Sequence, residues 1–254
     1  MADHRRDFGL RADRQKDFTS KGDLIMKLAI EQNTVSSKNQ LLPSATAKHY
    51  DLPDAKLKIA IAGNSITCHG ILPSIGWHNE WGMAASSEDK DFFHLVMNDF
   101  RKKYPDTSFL RIQASAWERE FWKEPEEYAP QIKELHDYDA DIIVLRLSEN
   151  CSAEECKNHD FAKGFMTLCD YLSRGGKSKL LITDSFWYSP WTAEGVEKAA
   201  QKYCGTVLKL SDLGERDEMK ALGLFEHAGV AGHPGDVGMR AIADRILERL
   251  FEMV

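Results

Sequence analysis

The stretch that most constrains this chain runs from Leu57 to Ser65, LKIAIAGNS, in which Leu57, Ile59 and Ile61 alternate with Lys58, Ala60 and Ala62 until the run stops at Gly63. A short apolar run ending in Gly, Asn and Ser is a strand that delivers a small loop at its carboxyl end. In open α/β sheets ligands sit at that edge. Later strands are expected at 108–114, 141–147, 179–183 and 206–210, and helices at 91–103, 126–135, 160–173, 194–203 and 237–253. The run 141–147, DIIVLRL, is nearly continuous in apolar residues, as strands buried on both faces are. Pro125 suits a helix start, and Arg174-Gly175-Gly176 suits a helix end. Strands separated by helices predict a three-layer α/β/α sandwich around a flavodoxin-like, five-stranded parallel sheet.

Residues 1–55 differ from the rest. Residues 1–20 are charged and polar, 24–30 form a brief apolar patch within a short helix, and 33–47 are rich in Ser, Thr, Asn and Gln, which reads as loop. This segment holds too few apolar residues for its own core. The expected organisation is an N-terminal extension, 1–55, that packs on the domain or mediates self-association, followed by the α/β/α domain at 56–254. A content of 43% apolar and 29% charged residues describes an ordinary globular protein. Net charge is −7 with no dominant basic patch, so nucleic acid is not an expected partner. Five cysteines without a CxxC spacing suit free thiols in a reducing compartment. The N-terminus lacks the apolar core of a signal peptide, and no run approaches membrane-spanning length, so a cytoplasmic protein without membrane association is expected.

Nucleophilic ester chemistry needs a serine on an exposed turn, a base to take its proton and donors for the oxyanion. Three places offer such parts: Ser65 after the first strand, Asn150 after strand 141–147, and His233 ahead of the last helix. Taken singly, each also reads as an ordinary turn or capping residue. In a doubly wound sheet their order puts all three on one rim. Cys68 and His69 with His78 and His94 match no common zinc spacing, and Cys151 and Cys156 have no dedicated histidine, so neither a metal nor a cysteine nucleophile is expected.

These blocks resemble those of the SGNH/GDSL hydrolase family over about residues 57–254. Gly63-Asn64-Ser65 stands where most members have Gly-Asp-Ser, Leu147-Ser148-Glu149-Asn150 resembles the third block, and His233-Pro234-Gly235 resembles the last. The resemblance implies a cofactor-free serine esterase with Ser65 as nucleophile and His233 as base and then acid. It also implies an oxyanion held by the Ser65 N–H, a backbone N–H near Glu118, and the Asn150 side chain. Many family members deacylate carbohydrates, so the expected substrate is a carbohydrate or small-molecule ester. Asn64, Trp77, Trp117 and Trp187 would line its site, and the alternative for the tryptophans is core at the sheet rim. Acyl transfer at the same site, a degenerate carbohydrate-binding module, and a flavodoxin-like nucleotide binder are the other readings. Two departures stand out. Val230 occupies the place of the family's acid three residues before the histidine, which leaves His233 to a backbone carbonyl or to an acid from elsewhere, with Glu226, Asp236 and Glu149 as candidates. The second block, 113–119, has Glu118 near the place of a glycine.

Overall fold

The computed structural model describes residues 46–254, so the expected helix at 24–30 and nearly all of the polar segment 33–47 lie outside the described residues. One sheet contains β1 (Ala47–Tyr50), β2 (Leu57–Gly63), β3 (Thr107–Gln113), β4 (Ile142–Leu145) and β5 (Lys179–Ile182), in the order β1-β3-β2-β4-β5. β2 runs parallel to β3 and β4, and β4 parallel to β5, whereas β1 is antiparallel on the outer edge of β3.

The sheet therefore has five strands but is not all parallel, and its fifth member is not the expected one. Segment 206–210 contributes a single parallel bridge between Thr183 and Leu208. The Asp184 carboxylate accepts the N–H groups of Leu210 and Ser211 at 2.5 and 3.1 Å, which draws the chain out of the ladder and into the short helix Ser211–Gly214. β1, with the sequence AKHY, lacks the period-two apolar signal that marks a half-buried strand.

Side chains of the parallel strands alternate between two cores. Ala60, Ala62, Leu110, Ile112, Ile143, Leu145, Leu180 and Ile182 face one, with α2 (Pro130–Asp137), α3 (Phe161–Ser173) and α4 (Ala193–Tyr203) packed on it. Ile59, Ile61, Phe109, Ile142, Val144 and Leu181 face the other, covered by α1 (Phe92–Lys103) and α5 (Asp236–Met253). The expected helix at 126–135 is instead a short turn at Pro125–Glu127 followed by α2. Pro130 is the reason: it disfavours a helical residue before it, and Ala129 accordingly has ψ of 147°. No helix among the described residues is long and apolar enough to cross a membrane.

Register aligns the carboxyl ends of the parallel strands. Gly63 pairs with Gln113, Ala62 with Leu145, and Leu145 with Ile182. The loops carrying Ser65, Glu118, Asn150 and Trp187 thus leave one edge of the sheet.

Candidate active site

Ser65 sits on a tight turn in which the Asn64 carbonyl accepts the N–H groups of Thr67 and Cys68 at 2.9 and 3.0 Å. The turn needs glycine before it: a Cβ on Gly63 would lie 2.0 Å from Thr67 Oγ1 and 3.1 Å from the Arg146 carbonyl. The Ser65 carbonyl accepts from Met83 at 2.9 Å, while its N–H has no hydrogen-bond partner among the described residues.

His233 lies between the short helix Ala228–Ala231 and α5, and is buried. Its Nδ1–H donates to the Gly229 carbonyl at 2.6 Å, which fixes the tautomer, because a carbonyl can only accept. Nε2 is then the acceptor, and the Ser65 Oγ–H donates to it at 2.8 Å. The Trp187 ring meets the imidazole edge to face, centroids 4.9 Å apart, and its Nε1–H donates to the Gly232 carbonyl at 3.2 Å. Burial pushes the His233 pKa down to about 3, against the raising effect of the Gly229 carbonyl and with help from His69, Arg146 and His227. His69, also buried, is pushed down to about 4 for the same first reason. A neutral imidazole accepting from a serine hydroxyl is an arrangement able to make that hydroxyl a nucleophile.

Both histidines are more basic in the unfolded chain than in the folded one. The unfolded state therefore binds more protons below pH 6.5, and stability should fall as pH drops from 6.5 toward the folded values of about 3 and about 4. The expected slope is at most about 1.4 kcal/mol per pH unit for each group. Urea unfolding at pH 7 and pH 5 measures it, and His233→Gln should show a shallower pH dependence than the wild type.

The acid-free place before the histidine is apolar. Val230 is fully buried with Trp77, Met83, Ala84 and Ala221. None of the three expected stand-ins reaches Nδ1: Glu226 is exposed, Asp236 accepts from Ser86 and Lys90, and Glu149 accepts from Arg146, Asn64 and Phe186. The orienting group is the Gly229 backbone.

Glu118 does not present its N–H to a site. That N–H points back to the Ala114 carbonyl at 3.4 Å within the short helix Ser115–Glu118, and the fully buried side chain is what matters. Its carboxylate accepts from Ser148 N at 2.6 Å, from Asn64 Nδ2 at 3.1 Å and from Asn150 Nδ2 at 2.6 Å. Asn64 also donates to Glu149 Oε2 at 2.7 Å and accepts from Arg146, which in turn pairs with Glu149. Asn64 is completely buried in this network, so it organises loops and does not line a substrate surface. Trp77 and Trp117 are buried core residues, the former in the cluster with Val230 and the latter packed on Phe165. Of the expected lining tryptophans, Trp187 is the one whose ring meets His233. Arg146 is a residue that motif spacing does not point to, although a charge inside the run 141–147, three residues before Glu149, is itself a signal of a buried ion pair.

No protein-family model matches the chain, and no curated protein matches its sequence. Among solved structures, the psychrotrophic esterase EstA from Pseudoalteromonas sp. is similar at 10% identity and a TM-score of 0.50, covering 78% of this chain and 98% of the esterase. A family two carbohydrate esterase from Clostridium thermocellum, solved with cellohexaose, is similar at 12% identity and a TM-score of 0.50, covering 80% of this chain and 66% of that one. The described residues share the fold of these two esterases.

Proposed function

We propose that the chain is a serine esterase that removes a small O-acyl group from a carbohydrate or similar polyol through an acyl-enzyme on Ser65. The observation that carries this reading is the 2.8 Å contact between Ser65 Oγ and His233 Nε2, with Nδ1 held by the Gly229 carbonyl. Ser65 Oγ attacks the ester carbonyl as its proton moves to Nε2. The imidazolium then protonates the departing alcohol, and water repeats the sequence in reverse on the acyl-enzyme. The unpartnered N–H of Ser65 and the Asn150 carboxamide are the donors for the oxyanion. The chemistry calls for no cofactor.

The carbohydrate part of the reading is supported by exposed aromatic residues in the segment that carries Trp187, whose ring meets His233. After Trp187 the same segment exposes Tyr188 and Trp191 at 59% and 51%, and flat exposed rings suit the faces of sugars. The fold is shared with a carbohydrate esterase, which is consistent with such a substrate. Hydrolysis of p-nitrophenyl acetate and of acetylated sugars by the wild type and by Ser65→Ala tests the proposal. Activity confined to the wild type is the expected result, and equal rates in the two would overturn it.

A further inference from the structure

Asn150 can serve an oxyanion only if its NH2 group, rather than its carbonyl oxygen, is turned the right way, and a carboxamide by itself has no preference between the two. The choice is made by what packs against it. Glu118 Oε2 lies 2.6 Å from the Asn150 amide, and Glu118 Oε1 accepts from Ser148 N, Asn64 Nδ2 and Asn150 N at 2.6, 3.1 and 3.4 Å. The other donors on this carboxyl are the backbone N–H groups of Ser148 and Asn150 and Asn64 Nδ2, whose carboxamide is oriented by Arg146 on its oxygen. These N–H groups are fixed independently of the Asn150 side-chain amide, and such groups are the surrounding of a carboxylate. A carboxylate only accepts, so the amide face turned to it is Nδ2. One Nδ2 hydrogen is then spent on Glu118, and the other has no acceptor among the described residues.

The same carboxylate holds the turn that carries Asn150. Ser148 has φ of 135°, in a region that side-chain-bearing residues rarely adopt. Its N–H on Glu118 and its Oγ, 2.6 Å from Ser185 Oγ, keep it there. Glu118 thereby ties together the loops that follow β2, β3 and β4. Burial, and next the negative charge of Glu149, push its pKa up, while the bonds from Asn150, Ser148 and Asn64 pull it back. Arg146, bound to both Glu149 and Asn64, supplies the positive charge of the group.

We propose that Glu118 is the positioning residue for Asn150: an acceptor-only clamp that fixes which end of the carboxamide faces the reacting ester. Its kinetic consequence rests on the esterase reading, but the clamp itself does not.

Glu118→Gln tests the clamp with nearly unchanged shape. The glutamine Oε1 can keep the bonds of the carboxylate Oε1, but its NH2 would meet the NH2 of Asn150. The Asn150 amide must then turn its oxygen inward, which removes the donor from the site. The expected result is a loss of about 10²- to 10³-fold in kcat, the cost of one oxyanion donor, with KM little changed. Asn150→Ala should lose the same factor, and the double variant no more than either. Losses that multiply in the double variant, or unchanged turnover in Glu118→Gln, would overturn the proposal.

A second measurement needs neither activity nor a variant. In the wild-type chain labelled with 15N-asparagine and 13C-glutamate, the Asn150 side-chain amide should show one strongly downfield proton and a coupling across the hydrogen bond to the Glu118 carboxyl carbon. Absence of that coupling would mean a protonated Glu118 facing the Asn150 oxygen, and the clamp would be wrong. A chain that shows the coupling but hydrolyses esters no faster than Ser65→Ala would keep the clamp and lose the esterase.

Discussion

Replacing His233 by alanine is expected to slow ester hydrolysis by on the order of 10⁴-fold or more, and adding Ser65→Ala to it is expected to slow it no further. Nε2 of His233 is the only base within hydrogen-bond distance of Ser65 Oγ among the described residues, so the proposed mechanism has the two side chains act as one unit. On the proposed reading, removing either would destroy the whole nucleophile and leave the binding and oxyanion contribution. In the proposed reaction the imidazolium would be supported by the Gly229 carbonyl dipole instead of a carboxylate charge. That support is weaker, and no side-chain substitution removes it. Single-turnover rates of the two single variants and the double variant check the prediction. Independent, multiplying losses would mean that His233 and Ser65 do not share a step.

The second large effect concerns the place where an acid is missing. Val230→Asp restores the family pattern on paper, yet it should not produce a better enzyme. Val230 is completely buried among Trp77, Met83, Ala84 and Ala221, and the Nδ1 it would have to reach is already bonded to Gly229. The new carboxylate would be buried without a partner, a situation that costs about 3–5 kcal/mol. Its folded pKa would rise to escape the charge, so the loss should be larger at pH 7 than at pH 4. Urea unfolding at the two pH values measures this. A variant as stable as the wild type with faster turnover would show that an acid at this position does orient His233.

The order of Ser65, Asn150 and His233 along the chain is enough to put them on one rim, because a parallel sheet sends the loop after each strand to the same edge. The alternation in Leu57–Gly63 and the apolar run around Ile142–Leu145 carry that inference. The orienting group of His233 is not legible in the same way. It is a backbone carbonyl, and every residue has one, so the sequence holds no letter for it. The role of Glu118 is hidden for another reason: its bonds span 30 residues to Ser148 and 54 to Asn64, with no local pattern to announce them. Trp77 and Trp117 illustrate a limit of composition. A tryptophan in a loop after a strand looks alike whether it stacks on a ligand or seals the rim, and these two seal it. β1 becomes the fifth strand on the β3 edge, while segment 206–210 makes a single bridge beside β5 at the opposite edge, because strand membership at an edge is decided by neighbours, here β3 and Asp184, more than by propensity.

The most direct measurement is mass spectrometry of the folded chain after treatment with an alkyl fluorophosphonate, which marks a serine only if that serine is an activated nucleophile. The expected result is a single adduct on Ser65, absent from Ser65→Ala and from His233→Ala treated for the same time. A folded wild-type chain that stays unmodified, or one labelled at a different residue, would contradict Ser65 as the nucleophile.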